Sequence, residues 1–329
     1  MTDNPFSGKR VLITGGLGFI GSTLGRKLAD QGADVLLVDS LIPEYGGNLF
    51  NIAGYQDKLK VNVADVRDEF SMDYLVQGRD LLFNLAGQTA HLDSMRDPYT
   101  DLEINCRAQL SILEACRKNN PTIKIIYTST RQMYGKPDYL PVDERHLLHP
   151  TDVNGINKMA GEWYHILYNN VYGIRAVSLR LTNTYGPRMR VKDARQTFLG
   201  IWIRRLIEGE TIDIWGDGAQ IRDFNYVDDV VDAMLLTAAS DEANGHVFNL
   251  GSEEITNLGD LAALLVEING GGSYRIIPYP PDRKPIDIGD YYADYRRIRD
   301  QLGWAPQVSL REGLVRTLEY YRQHRERYW

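Results

Sequence analysis

The 329-residue chain has only two cysteines, Cys106 and Cys116, six histidines and no excess of basic charge. Each shortage excludes a class of protein. Two cysteines within one helical pattern (101–118) give neither a disulfide framework nor metal-ligand spacing, so both are expected to be buried helix residues and no metal is expected. A net charge of −7 without a long basic run argues against nucleic acid or an anionic membrane as partner. No apolar stretch approaches the ~20 residues of a spanning helix. The start, Met1-Thr-Asp-Asn-Pro-Phe-Ser, carries no basic and then apolar signal region, and a cytoplasmic location is expected. Repeats and low-complexity linkers are absent too. What is present is an ordinary globular composition, 43% hydrophobic and 25% charged, long enough for two domains or one elaborated domain.

Apolar runs at Val11–Thr14, Val35–Val38, Leu59–Val63, Leu81–Leu85, Ile123–Thr128 and Ala176–Leu181 alternate with helical stretches such as Gly21–Gln31, Asp101–Asn119 and Ile156–Val171. That alternation predicts an α/β fold, a Rossmann-type doubly wound parallel sheet with helices on both faces. After Asn183 the pattern loosens, with turn punctuation at Gly186-Pro187, Gly216-Asp-Gly218 and Pro278-Tyr-Pro-Pro281. The expected division is a dinucleotide-binding domain of residues 1–183 plus about 229–251, and a smaller C-terminal lobe of about 184–228 and 252–329. The helical stretch Asp228–Ala239 would rejoin the first domain.

The first βαβ unit carries the chemistry. The run Val11-Leu-Ile-Thr-Gly15-Gly-Leu-Gly18-Phe19-Ile20-Gly21 leads from a strand through a glycine turn into a helix, and Val35-Leu-Leu-Val-Asp39 ends a second strand in a carboxylate. Gly15 permits the tight turn, Gly18 lets the backbone approach a pyrophosphate, and Gly21 lets helix and strand pack. The pyrophosphate would rest on the positive end of the helix opening near Gly18. Asp39 is placed to accept hydrogen bonds from an adenosine ribose and to repel a 2′-phosphate, so the expected cofactor is NAD rather than NADP. Ligands in such folds bind beyond the carboxyl ends of the strands. The expected site therefore adds Asp65-Val66, Leu85-Ala86-Gly87-Gln88, Thr128 to Thr130 and Leu181 to Asn183.

Taken together, Asn84-Leu-Ala-Gly87, Asp101-Leu-Glu-Ile-Asn105, Tyr127-Thr-Ser-Thr130 with Tyr134-Gly135, Leu179 to Pro187, Gly216-Asp-Gly218 with Arg222-Asp-Phe, and Leu302-Gly-Trp304 resemble the extended short-chain dehydrogenase/reductase family over nearly the full chain, in particular its nucleotide-sugar epimerases, dehydratases and decarboxylases. The resemblance implies a tightly bound NAD recycled within each turnover and a nucleoside-diphosphate sugar as substrate. It puts Asp65 and Val66 at the adenine, Asn105 and Lys158 near the nicotinamide ribose, and Asn183 at the substrate diphosphate. Arg222 and Arg283 would reach the nucleotide half, with Arg188, His91 and Ser94 as further substrate contacts. Arginine's planar fork suits a diphosphate better than lysine does.

Enzymes of this family usually oxidise a sugar hydroxyl with a tyrosine four residues before a lysine, one helical turn away on the same face. The lysine is present as Lys158, but Asn154 stands in the tyrosine's place, and a neutral carboxamide cannot serve as general base. Proton transfer would fall to Thr130, which matches the family's active-site Ser/Thr, or to Tyr185, His91, His149 or Asp152, with water as a relay. Tyr164, six residues past Lys158, is turned away by the helical repeat. A protein that binds NAD and a nucleotide sugar without turning it over is the alternative from another class.

Reaction type follows by elimination. The dehydratases carry an acid pair directly after the active-site Ser/Thr, where this chain has Arg131-Gln132; the decarboxylases carry a glutamate nearby, and Gln132 is none. Arg131 would suit an acidic sugar, and Asn183-Thr-Tyr-Gly-Pro-Arg188-Met is similar to UDP-glucuronate decarboxylases. The block from Gln88 to Asn105 looks like UDP-glucose 4-epimerases and CDP-tyvelose 2-epimerases. Epimerisation needs the least extra equipment: oxidation to a keto sugar, rotation, and re-reduction on the other face. A 4-epimerase type is the expectation, with a UDP-uronate decarboxylase or dehydratase, or the silent binder, as alternatives. Apolar surface on 101–119 and 156–171 predicts a homodimer, as the resemblance implies.

Overall fold

Val11, Leu12 and Ile13 are all fully buried, and consecutive residues of a strand can be so only when both sheet faces are covered. The computed structural model describes residues 4–195 and 197–329 and has that arrangement. Seven strands form one all-parallel sheet: β1 (Arg10–Thr14), β2 (Asp34–Asp39), β3 (Leu59–Val63), β4 (Leu81–Asn84), β5 (Lys124–Thr130), β6 (Ala176–Leu181) and a distant seventh at Val247–Asn249. In space they run β3-β2-β1-β4-β5-β6 and then the seventh strand. The order reverses between β1 and β4, which opens a crevice at their carboxyl ends.

Alternate residues of each strand feed different layers. Val11, Ile13, Val35 and Leu37 pack with Leu24 and Leu28 of α1 (Phe19–Asp30) and with a helix at Val227–Ala239. Leu12, Leu36, Val38 and Leu82 pack on the opposite face against three helices. These are α2 (Glu69–Leu75), α5 (Ala108–Asn119) and α6 (Val153–Tyr172). Two short helices, α3 (His91–Arg96) and α4 (Pro98–Leu102), link β4 to α5.

The helix expected to begin at Asp101 starts at Pro98 instead, because Asp97 caps it by accepting from the Thr100 amide at 3.2 Å. It passes through a π-helical turn at Glu103–Arg107 before α5. The widened turn brings Asn105 to face β4, and such turns recur at functional positions. Cys116 is buried as expected, whereas Cys106, inside that turn, is only half-buried.

The remainder folds over the crevice as small sheets and helices. β7 (Asn183–Tyr185) runs parallel to β9 (Ile221–Tyr226), which pairs antiparallel with β11 (Ile255–Asn257); β8 (Ile212–Trp215) pairs with β12 (Tyr274–Ile277). The edge strand of the large sheet is thus β10 (Val247–Asn249). α7 (Phe198–Ile207), α8 (Val227–Ala239), α9 (Leu258–Asn269), α10 (Arg296–Leu302) and α11 (Leu310–His324) complete the chain. α8 lies against α1 and belongs to the large core. Among the described residues no helix is long and apolar enough to cross a membrane.

Candidate functional site

The turn after β1 is shaped by space as much as by backbone freedom. Gly15 has φ +65°, a left-handed conformation that L side chains rarely adopt. A Cβ on Gly21 would stand 2.3 Å from the carbonyl oxygen of Gly15, and one on Gly16 would stand 2.6 Å from Cβ of Leu37. Gly18 is extended and precedes α1, whose first residues line a cavity of about 290 Å³. Asp39 lines that cavity: one carboxylate oxygen accepts the Leu17 amide at 3.1 Å and the other the Leu41 amide at 3.0 Å. Burial pushes its carboxyl above the usual range. Asp65 and Val66 line the same wall, Asp65 clamped by Arg67, which holds its carboxyl below the ordinary value. Phe19, Ile20, Leu85, Ala86, Gly87 and Thr128 also line the cavity.

Thr14 sets the crevice at the topological reversal. Its hydroxyl donates to Asn84 at 2.9 Å and accepts the amides of Leu85 and Ala86, both at 3.1 Å. Asn84 in turn donates to Gln109, and Gln109 to the carbonyl of Ile104 in the π-helical turn. His165 completes this buried network, its imidazole pushed down to about 4 by burial and therefore neutral. Neither this network nor Gly16 was read from the sequence; a polar residue ending a buried strand is the one signal that pointed to it.

Thr130, Asn154 and Lys158 line the same cavity. Burial lowers the Lys158 ammonium to about 8, and Nζ donates to the Thr128 carbonyl at 3.2 Å. A Cβ on Gly87 would lie 2.9 Å from both Lys158 Nζ and Asn105 Oδ1, so a side chain there would displace these two groups. Oδ1 of Asn105 is a buried acceptor with no hydrogen bond of its own. The glycine cradle and the Asp39 carboxylate, both lining the cavity, fit NAD. Bound there, NAD would supply a hydride acceptor beside Lys158 and Thr130.

A second cavity, of about 580 Å³, adjoins the first. Arg222 and Arg283 line it. Arg222 is buried and gripped by the carbonyls of Ile221 and Gly289, and burial lowers it to about 10. Arg283 lies over the Trp215 ring, 4.3 Å from its centroid. His91, Arg131, Asn183 and Thr197 line both cavities and mark where they meet. Asn183 accepts from Arg131 at 2.9 Å and donates to the Asp223 carbonyl at 2.9 Å.

Several expected site residues lie elsewhere. Ser94 is buried beneath the site: its hydroxyl donates to the His91 carbonyl and accepts the Asn154 amide, so it presents nothing to a substrate. Arg188, at φ +74°, turns toward α1 and α11, donating to Thr23 at 3.2 Å and lying over Tyr320. Gln88 and Asn105 stand behind the cavity wall. The Gln88 side chain donates to the Ala90 carbonyl, and Asn105 Nδ2 donates to the Gln88 carbonyl at 2.9 Å. Of the alternative proton acceptors, Tyr185 is buried with its hydroxyl on the Leu310 carbonyl, and His149 is exposed and lines neither cavity. Arg190 donates from its guanidinium to the Pro43 and Tyr45 carbonyls, fixing a loop of the first cavity wall. Among the described residues no cluster of histidine, cysteine or carboxylate could hold a metal ion.

This pair of cavities, on a seven-stranded parallel sheet with its glycine turn at the strand reversal, defines an NAD-dependent enzyme. The model of the NAD-dependent epimerase/dehydratase family matches residues 11–251, and the chain belongs to that family. It is 33% identical to the UDP-glucose 4-epimerase of Mycolicibacterium smegmatis over 95% of this chain and 98% of the relative. It is 32% identical to a putative UDP-glucose 4-epimerase of Methanocaldococcus jannaschii over 95% and 99%. Among solved structures, the Thermotoga maritima UDP-glucose 4-epimerase with UDP-glucose superposes with a TM-score of 0.86 at 34% identity, covering 95% of this chain and 99% of that one.

Proposed function

We propose that the protein is an NAD-dependent nucleotide-sugar epimerase of the 4-epimerase type, acting on a UDP-sugar through a transient keto sugar. The observation that carries this reading is the meeting of the two cavities at His91, Arg131 and Asn183. A cofactor held by the glycine turn in one and a nucleotide sugar held by Arg222 and Arg283 in the other would bring their reacting ends together there. Thr130 and Lys158 line the first of these cavities. The two positions after Thr130, where a dehydratase needs acids, are taken by Arg131, bonded to Asn183, and Gln132, bonded to Asp152. With no carboxyl group there to drive elimination, oxidation and re-reduction are what the residues support.

One observation favours the silent binder instead: Nδ2 of Asn154 donates to the Gln88 carbonyl and to Asp101, and a carboxamide offers no base. Proton NMR of the purified protein with NAD and a panel of UDP-, GDP-, CDP- and dTDP-sugars, uronates included, decides between them. A new anomeric signal growing to a fixed ratio supports the epimerase and names its sugar. Unchanged spectra with nucleotide sugar bound support the binder.

We also propose a homodimer formed through α6. Ile156, Trp163, Leu167 and Val171 follow one stripe of that helix and are 48%, 58%, 49% and 61% exposed, although apolar.

A further inference from the structure

The family's tyrosine is absent, yet a second proton acceptor stands at the junction of the cavities. Of the described residues lining both, His91, Arg131, Asn183 and Thr197, only His91 has a side chain of the kind that serves as a general base. His91 opens α3, and its side chain is 38% exposed, whereas the Asp152 side chain behind it is wholly buried. Nδ1 of His91 lies 2.8 Å from Oδ2 of Asp152, a close approach that is bent off the hydrogen-bond line. Asp152 is itself held rigidly. It caps α6, one oxygen accepting the Gly155 amide at 2.7 Å and the other the Gln132 side chain at 2.9 Å.

We propose that His91 is the proton acceptor that replaces the missing tyrosine, with Asp152 as the residue that positions its ring. A carboxylate at Nδ1 keeps the proton on that nitrogen and leaves the Nε2 lone pair free for the cavity. This rests on the epimerase reading above. In the oxidation half-reaction the sugar O–H bond breaks and its proton passes to Nε2. With NAD bound, its oxidised ring would supply the two-electron acceptor for the hydride of the C–H bond, and the carbon–oxygen bond would become a carbonyl. Re-reduction on the other face reverses both transfers, and the imidazolium returns the proton. Lys158, on the Thr128 carbonyl, and Thr130, whose hydroxyl accepts the Gln132 amide at 3.2 Å, remain as the groups that hold the sugar oxygen.

The test has two readouts. Long-range proton–nitrogen NMR of histidine-labelled, NAD-loaded protein reads the tautomer without any sugar. His91 is expected as the Nδ1–H form, and D152N, which keeps a capping side chain, is expected to reverse it. Kinetics on the sugar identified by the NMR panel follow. H91Q and D152N should each lower kcat at least ~100-fold while KM moves less than about threefold and NAD content stays constant. Added imidazole should restore part of the rate of H91A. A kcat for H91Q within threefold of the parent overturns the proposal, as does an Nε2–H tautomer in the parent. If the parent turns over no nucleotide sugar, the epimerase reading fails, and the tautomer alone decides whether His91 and Asp152 form the pair.

Discussion

Asn154 and Lys158 stand one turn apart on α6, and both spend their side-chain donors on backbone carbonyls of the site. Nδ2 of Asn154 reaches Gln88 at 2.7 Å, and Nζ of Lys158 reaches Thr128 at 3.2 Å. Asn154, standing where a tyrosine-bearing relative has its base, is here a strut. Asn154 also donates to Asp101, a buried carboxylate that receives three amides: Asn105 at 3.0 Å, Asn154 at 3.0 Å and Asn157 at 2.8 Å.

Restoring the tyrosine should therefore damage the site. In Asn154→Tyr, Asp101 loses one of its donors and Gln88 loses another, while a ring must fit where a small amide was buried. A weakened hydrogen bond to a buried carboxylate costs about 1–3 kcal/mol, so urea denaturation should show a loss of that size. Turnover should fall with it. A variant more active than the parent would show that Asn154 is a defect rather than a part of the network.

Lys158 gives a pH signature with a definite sign. Burial lowers its ammonium from the ordinary range to about 8, so the folded protein releases this proton before the unfolded chain does. Between about 8 and the ordinary lysine value the unfolded state holds the extra proton, and stability gained from this group rises with pH across that window. Lys158→Met removes the contribution. The difference in unfolding free energy between parent and variant should rise from pH 7 to 10, read by urea melts at each pH. Taking the difference cancels Lys124, which burial also lowers to about 8. Activity should vanish in Lys158→Met, and in the parent kcat should fall as pH passes about 8. A flat stability difference would mean the ammonium is solvated.

The sheet and its cofactor turn were legible in the sequence because each rests on local pattern. Runs of buried Val, Leu and Ile mark strands covered on both faces, and Gly15 and Gly21 mark a turn that other residues cannot make. The lobe after Asn183 was not legible: β7, β10 and β11 have three residues each, too few to show a period. Side-chain direction was the other blind spot. Ser94 and Arg188 sit next to site residues in sequence, but the cap-like turn of α3 aims one inward and a left-handed backbone aims the other away. The contact of His91 with Asp152 joins residues 61 positions apart, and only the packing of α3 on α6 makes it.

Gly16 tests the packing that pattern reading missed. Its Cβ would meet Leu37 at 2.6 Å to Cβ and 2.9 Å to Cα, one side-chain base and one backbone atom, neither of which can swing away. Gly16→Ala should cost about 1–3 kcal/mol through overpacking and should lower NAD affinity by displacing the turn. Thermal unfolding and NAD titration of the same sample check both, and unchanged values in the two would mean that the turn yields without strain.

The exposed stripe on α6 predicts an association that can be broken without touching the site. Trp163 and Leu167 are one turn apart and about half exposed, and neither lines a cavity. Burying such side chains against a second copy stabilises by roughly 1.5–3 kcal/mol each, and two charges placed there cannot be buried together against their own symmetry mates. Parent protein should run in multi-angle light scattering at twice the chain mass, and Trp163→Glu with Leu167→Glu at the single mass, with the urea midpoint of the pair no longer dependent on protein concentration. A parent that stays at the single mass over a hundredfold range of concentration rules the dimer out, and the stripe would then face solvent in the working enzyme.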